Sequence, residues 1–220
     1  MNTVSGFRWF FTVAAVAAVF MGGAERVSGA GATAVIEVQA NQPGPAISPD
    51  LYGIFFEEIN CAGDGGLYAE LVRNRSFEEP GRTSYWQQVT TGFATGSISA
   101  DASKPLSARN VWSLKLTQTS GGGSVGAANP GFWGMHLKAG EVYDVSLYAR
   151  GAEGFTGPVV VRLENRDSSQ VLSQVALGPV QAEWTHFKGE LVPSATVTDG
   201  RLVVALLQPG TVWVDVVSLF

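Results

Sequence analysis

The sequence predicts a mainly β protein, built as an antiparallel sandwich or jelly roll that fills most of the chain. Three observations lead to this class. From about residue 83 onward, run after run alternates apolar and polar residues or is rich in β-branched ones. Gly, Pro, Asn and Asp separate the runs. No segment in this part has convincing helical periodicity, so neighbouring strands are expected to pair antiparallel.

Six strand segments justify this prediction in order along the chain. Each is short, carries the period-two pattern and ends at turn-forming residues. They read VWSLKLT, VYDVSLYAR, PVVVRLEN, EWTHFKGELV, GRLVVALLQ and TVWVDVVSLF. Together they predict one complete β-sandwich domain over residues 74–220.

The first 31 residues have the pattern of a secretory signal peptide. One arginine precedes the apolar run FFTVAAVAAVFM, and small residues follow it. The run is shorter than the about 20 residues that cross a bilayer, although an uncleaved anchor is the alternative. We therefore expect a secreted or periplasmic protein without membrane attachment after cleavage.

Residues 32–73 predict two strands and a short helix. TAVIEVQA (33–40) alternates, and LYGIFFEEI is an apolar run typical of a strand buried in a parallel sheet. GGLYAELVRN follows with the helix-like spacing of Leu67 and Leu71. A buried parallel strand needs neighbouring strands and covering helices that this chain does not contain. The stretch is thus expected to belong to a larger fold.

The charge pattern excludes a nucleic-acid-binding function. The net charge is −5, and the 14 Lys and Arg residues are scattered singly instead of forming a basic stripe. The many Phe and Trp residues, 12 and 6, suit a β-rich protein that stacks on flat ligands.

Glu57 and Glu58 are adjacent carboxylates at the end of the apolar run. Two carboxylates about 5 to 5.5 Å apart serve retaining glycosidases. Successive side chains of a strand point to opposite faces, so these two cannot flank one bond. At most one of them enters a pocket.

The stretch ISPDLYGIFFEEINCAGDGGLYAELVRNRSFE resembles the N-terminal part of α-L-arabinofuranosidases of glycoside hydrolase family 51. The resemblance implies that residues 53–57 close the first strand of a (β/α)8 barrel and that Glu57 hydrogen-bonds the arabinofuranose. The carboxylate would orient the sugar through charge-assisted hydrogen bonds. Glu58 receives no such role.

The catalytic part of that family is missing from the sequence. The family's acid/base glutamate lies in an Asn-Glu dipeptide on a later barrel strand, and no Asn-Glu occurs in these 220 residues. A (β/α)8 barrel takes about 250 residues. By itself the chain is expected not to hydrolyse glycosides, so no catalytic residue is assigned and its status as an enzyme stays open.

The sandwich resembles a CenC-type carbohydrate-binding module, a jelly roll of the galactose-binding-like class. NRSFEEPGRTSYW matches the opening of that module and TVWVDVVSLF its last strand. Sugar sites need an aromatic plane with polar groups around its rim. The available planes are Tyr85, Trp86, Trp112, Trp133, Tyr148, Trp184 and Trp213.

Most of these aromatic residues are expected in the core. Trp112 and Trp213 alternate in phase with apolar neighbours. Trp133 stands in the turn NPGFWGMH, and loop aromatics are less often buried, so Trp133 is the first candidate platform. Tyr85 and Trp86 follow it.

The module resemblance also implies a structural calcium ion held by Glu78 and Asp215. Calcium prefers carboxylate and carbonyl oxygens. The alternative is that Asp215 caps a sheet edge and Glu78 is solvated. His136 and His186 lack metal-ligand spacing and are expected on the surface of strands. No other cofactor is expected.

The function predicted from the sequence is therefore a partial one. The chain is expected to be the N-terminal, carbohydrate-binding portion of a secreted α-L-arabinofuranosidase, with arabinose-containing plant polysaccharide as its partner and the catalytic barrel absent. Two alternatives remain: a stand-alone lectin-like sandwich, and a module that serves only as a spacer or interaction domain.

Overall fold

A computed structural model describes residues 37, 39, 41–53 and 55–220. The chain divides into two compact units, and the second runs from Ile54 to Phe220. The predicted signal peptide and nearly all of the strand predicted for residues 33–40 lie outside the described residues. Among the described helices, none is long and apolar enough to cross a membrane.

The described residues form one short helix and eleven strands. The helix is a 3-10 turn, Pro49–Leu51, which Ser48 caps by accepting from the Asp50 backbone N–H. The strands are β1 (Gln87–Gly92), β2 (Thr95–Asp101), β3 (Ser113–Ser120), β4 (Gly123–Asn129), β5 (Met135–Leu137), β6 (Tyr143–Gly151), β7 (Val159–Asn165), β8 (Val171–Leu177), β9 (Thr185–Leu191), β10 (Val197–Leu206) and β11 (Gly210–Leu219).

The strands pair antiparallel into two sheets. The six-stranded sheet has the order β1-β4-β10-β7-β8, and β5 pairs with β10 beside that path. The five-stranded sheet has the order β2-β3-β11-β6-β9. The predicted antiparallel sandwich is confirmed, and all six strand segments read from the sequence are strands.

The core lies between the two sheets because alternate residues of each strand point inward. In β6, Val145, Leu147 and Ala149 are buried, whereas Ser146 and Tyr148 between them are only partly so. The inward residues of the other strands join them in one apolar cluster. Each fully buried leucine or valine contributes about 1.5 to 3 kcal/mol to stability.

The strand predicted over LYGIFFEEI and the helix predicted over GGLYAELVRN are wrong for the described residues. Residues 55–59 have no regular structure, and Phe55 is 88% exposed. The described residues supply no parallel neighbour for this segment, so its backbone has nothing to pair with. GGLYAELVRN forms turns and one bridge between Asp64 and Tyr68 instead of a helix, because two glycines and a short length disfavour nucleation.

Residues just before position 74 attach to the last strand of the sandwich. The Leu71 N–H donates to the Leu219 carbonyl. The buried Glu70 carboxylate accepts hydrogen bonds from the backbone N–H groups of Val72 and Leu219 and from the Ser218 hydroxyl, at 2.7 to 2.9 Å. Glu70 therefore fixes the chain that enters the sandwich against β11.

Candidate functional site

The face of the five-stranded sheet that points away from the core carries aromatic and basic side chains. The β6–β9 register places Tyr148 opposite His186. Their rings stack with centroids 4.5 Å apart and planes at 18°. Tyr148 points outward because it alternates with the buried Leu147 and Ala149.

A cavity of about 520 Å³ lies beside Tyr148. Its other lining residues come from the β2–β3 connection, from the chain entering the sandwich and from β11: Arg75, Ser76, Leu106, Ser107, Asn110 and Val216. Most of them present hydroxyl, amide or guanidinium groups. An aromatic plane with hydrogen-bonding groups around it is the chemistry that a sugar ring requires.

A second cavity of about 520 Å³ adjoins the first and shares Arg75 and Val216 with it. Its remaining lining residues are Tyr68, Asp144, Val145, Ser146, Lys188, Gly189, Ser218 and Phe220. We call the two cavities together the sheet groove. The walls of the groove carry both signs of charge.

Arg75 stands where the two cavities meet, and its position is fixed from behind. The guanidinium lies 3.6 Å from the Glu70 carboxylate and 5.3 Å from the centre of the Tyr68 ring. Since Glu70 is buried and bonded to β11, Arg75 is held on the groove side by a charge that water does not reach.

A bulge in β11 shapes the floor of the groove. The β11–β6 register shifts between Asp215 and Ser218, and Val216 takes a positive φ of 46°. This conformation is strained for a β-branched residue. Bulges re-aim side chains and are common beside functional sites.

The two carboxylates predicted to hold calcium lie close to each other under this floor. Glu78 accepts from the backbone N–H groups of Val111 and Trp112 at 2.7 and 2.8 Å. The fully buried Asp215 accepts from the Asn110 amide and from the Val216 N–H. Burial, together with the nearby charge of Glu78, raises the pKa of Asp215 to about 7.

Among the described residues, Arg82 is the cation that pairs with this site, at 3.2 Å from Glu78. Across the described residues, no group of three or more His, Cys, Asp or Glu side chains is arranged to hold a metal ion. His136 and His186 are exposed on β5 and β9, as predicted.

Two aromatic residues predicted as platforms, Tyr85 and Trp133, are exposed near a third, Phe132, and we call the three the loop aromatics. Trp133 is 71% exposed in the β4–β5 turn, with its ring centre 5.9 Å from that of Phe132. Tyr85 is 38% exposed, and the Arg73 guanidinium lies 3.8 Å from the centre of its ring. Arg73 also lies 5.7 Å from the Phe132 ring, so it bridges the loop aromatics.

Trp86 is a correction to the sequence-based assignment. Only 5% of it is exposed, its indole N–H donates to the Asn74 carbonyl, and its ring packs on Phe77. The next residue begins β1, and the alternation of the chain turns Trp86 into the core while its neighbour Tyr85 faces outward. No face of Trp86 is open to a sugar.

Glu57 is exposed in an irregular segment, and none of the groove-lining residues is near it in sequence. Glu58 turns back and accepts from the Gly63 N–H at 2.7 Å. The two carboxylates thus have different surroundings, as expected of adjacent residues. The barrel environment that the resemblance gives to Glu57 is not part of the described chain.

Comparison with known proteins gives three findings. A family model described as a carbohydrate binding domain matches residues 69–210. Alpha-L-arabinofuranosidase 1 of Arabidopsis thaliana is 35% identical over 192 residues, which are 81% of this chain and 28% of the relative. An extracellular exo-alpha-L-arabinofuranosidase of Streptomyces chartreusis is 34% identical over 225 residues, 99% of this chain and 26% of the relative.

Among solved structures, an arabinose-bound α-L-arabinofuranosidase superposes with a TM-score of 0.65 at 31% identity. The match covers 77% of this chain and 29% of that one. The chain therefore spans between a quarter and a third of the length of these relatives.

Proposed function

The chain belongs to the carbohydrate binding domain family that matches residues 69–210, and from this premise we propose that its sheet groove binds arabinose-containing plant polysaccharide. The observation that carries the proposal is the partly exposed ring of Tyr148 beside a rim of Arg75, Ser107 and Asn110. The names of the relatives, all α-L-arabinofuranosidases, support arabinose as the sugar.

The groove would recognise the sugar by two complementary interactions. The apolar face of a furanose or pyranose ring lies on the free face of Tyr148, whose other face is covered by His186. The hydroxyl groups at the edge of the ring then accept from Arg75 and exchange hydrogen bonds with the serine hydroxyls. Because Glu70 holds Arg75 in place before the ligand arrives, little side-chain entropy is lost on binding.

Affinity electrophoresis in native gels that contain arabinoxylan or arabinan tests this proposal. We expect the wild type to be retarded and Tyr148→Ala to lose about five- to tenfold in affinity, since an aromatic contact of this kind contributes about 1 kcal/mol. Phe93→Ala is the matched control, because Phe93 is 90% exposed in the β1–β2 turn, away from the groove. A wild type that migrates freely in every polysaccharide would leave only the structural alternative.

The loop aromatics are a second candidate surface because Trp133 is 71% exposed. The same gels decide between the surfaces. If Trp133→Ala or Tyr85→Ala abolishes retardation while Tyr148→Ala does not, the sugar binds at the loop aromatics instead of the groove.

We assign the chain a binding role without glycoside hydrolysis of its own. In this proposal the relatives' activity belongs to a barrel outside the described residues, and Glu57 contacts sugar only inside such a barrel. An aryl arabinofuranoside is the test substrate, and turnover at the rates of ordinary glycosidases would contradict the assignment. A monomer that binds sugar would instead favour the stand-alone lectin-like alternative.

A structural calcium ion fits the pair of Glu78 and Asp215 in part. The two carboxylates would supply oxygen ligands, and a cation would neutralise the buried charge of Asp215. In support, the only protein donors to Asp215 are one amide and one backbone N–H in the described structure. A rise of the melting temperature with calcium that is absent in Asp215→Asn would establish the site.

Export completes the proposed function. The leader pattern of residues 1–31 and the extracellular relative of Streptomyces chartreusis both support it. Mass spectrometry of the protein recovered from the medium or periplasm should give a mature N-terminus near residue 32. Recovery of the intact 220-residue chain from membranes would support the uncleaved anchor.

A further inference from the structure

A third cavity lies on the same sheet face as the groove, beyond Tyr148. Its volume is about 470 Å³, and it is lined by Lys104, Arg150, Gly151, Ala152, Glu153, Ala182 and Trp213. Arg150 follows Tyr148 by two residues on β6, so both side chains point to the same face, about 7 Å apart along the strand. That spacing corresponds to roughly one sugar ring.

At this cavity the sheet register places a basic residue on each side of the Trp213 indole. Trp213 of β11 lies opposite Lys115 of β3 on one side and Arg150 of β6 on the other. Lys115 is already engaged, 3.8 Å from the Asp101 carboxylate and 5.5 Å from the Trp213 ring. Arg150 has no such engagement.

The two cations at this cavity have no salt-bridge partner in the described part of the chain. The Arg150 Nε–H is buried and makes no hydrogen bond there, whereas the indole N–H of Trp213, which is 8% exposed, lies by the Asp101 carboxylate and helps to lower its pKa. Among the described side chains, no carboxylate lies within 4.0 Å of Arg150 or Lys104. The cavity is therefore lined by two cations that no described carboxylate pairs with at salt-bridge distance, and such a lining favours an anionic ligand.

We infer that this third cavity binds the carboxylate of a uronic acid residue carried by the polysaccharide. The inference rests on the proposed function, because the uronic acid must be part of a chain that the groove holds. The planar guanidinium of Arg150 offers paired N–H donors to a carboxylate, and Lys104 adds a second positive charge from the β2–β3 connection. Glu153 is the one acidic residue in the lining, so the cavity keeps one excess positive charge.

The test compares one polysaccharide in two chemical states. An arabinose-containing polymer that carries uronic acid residues is used as isolated and after reduction of its carboxyl groups to primary alcohols, in solution titrations at low and at physiological salt. We expect the wild type to bind the native polymer about five- to tenfold more tightly, with a smaller ratio at high salt because of screening. Equal affinity for the two forms overturns the inference and leaves the proposed function intact. No binding to either form contradicts both the inference and the proposed function.

Variants locate the effect. Arg150→Gln and Lys104→Gln should each bring the ratio of native to reduced affinity toward one, and Glu153→Gln should increase it. Lys138→Gln is the control for a lost positive charge, because Lys138 lies outside all three cavities and pairs with Glu141. Lys104 is exposed in a connection, so its variant stays informative if Arg150→Gln fails to fold. An unchanged ratio in folded Lys104→Gln and Arg150→Gln would contradict the assignment of the cavity.

Discussion

The two outer faces of the sandwich differ in how their charged side chains are paired. On the six-stranded sheet, Glu164 pairs with Arg162 at 3.0 Å and with Arg201 at 2.9 Å. Beside them lies a small buried cluster of Val203, Ala205 and Ala128. On the five-stranded sheet, Arg150 has no carboxylate within 4.0 Å among the described residues, and Tyr148 lines an open cavity. The six-stranded face pairs its buried charges with its own side chains, whereas the five-stranded face leaves a cation and an aromatic ring beside open cavities.

Two buried carboxylates express the same contrast. Glu164 lies between two guanidinium groups, whereas Asp215 has no cation as a partner and lies near the charge of Glu78. A buried carboxylate with cations is a structural element, and one without them stores an electrostatic cost that a bound ion or a proton can relieve.

The largest expected effect is the loss of Glu164. In Glu164→Ala, both Arg162 and Arg201 remain largely buried without a carboxylate, which should reduce the free energy of unfolding by about 3 to 5 kcal/mol. Urea denaturation measures the change. Glu141→Ala, which removes an exposed ion pair, should cost less than about 1 kcal/mol. Similar small losses in both variants would show that the six-stranded face does not depend on its ion pairs.

The next effect concerns pH and Asp215. The pKa of Asp215 is raised from 3.8 to about 7 in the folded state, so the folded chain binds more protons than the unfolded chain between these values. Its contribution to stability is full below about pH 4 and is lost as the pH rises through about 7. Asp215→Asn should remove up to about 4 kcal/mol of this pH dependence.

Unfolding of wild type and Asp215→Asn at pH 4 and pH 8 in the presence of a chelator measures that difference. Calcium added at pH 8 should restore stability to the wild type alone. Parallel pH profiles for the two proteins would show that Asp215 does not titrate in this range.

A pair of truncations should separate binding from stability. Tyr148→Ala should weaken binding to arabinoxylan about five- to tenfold and change the free energy of unfolding little, because the side chain is partly exposed. Val203→Ala, on the opposite face, should cost about 1 to 2 kcal/mol of stability and leave binding unchanged, since Val203 is fully buried. Calorimetry of both variants with the same polysaccharide measures the binding affinity and the stability. Weaker binding in Val203→Ala and lower stability in Tyr148→Ala would place the ligand on the six-stranded face instead.

The smallest expected effect is that of Trp133→Ala. With 71% of the residue exposed, its removal should change the free energy of unfolding by less than about 0.5 kcal/mol. Thermal melts measure the change. A larger loss of stability would mean that Trp133 packs more closely on Phe132 than their 5.9 Å separation indicates.

Particular residues show how far sequence reasoning reached toward the site. The Gly- and Pro-bounded turn correctly predicted an exposed Trp133. The alternation in VYDVSLYAR is enough to show that Tyr148 and Leu147 point to different faces of the sheet. Tyr148 is one of the aromatic residues available for a sugar platform, but the sequence does not single it out. Alternation alone does not distinguish a solvated face of a strand from one covered by another element. The prediction of Trp86 as a sugar platform is wrong for a related reason: the direction of its side chain depends on where β1 begins.

Sequence alone determined the architecture: a period of two between turn residues leaves an apolar face on each strand, and antiparallel sheets packed face to face are the way to bury it. It also gave the family through the residues that open and close the domain. Only the tertiary structure decided which surface is chemically active. Arg75, Asn110, Tyr148 and Trp213 are distant in the chain, and their neighbourhood follows from strand register and the β11 bulge, which depend on all the pairings at once.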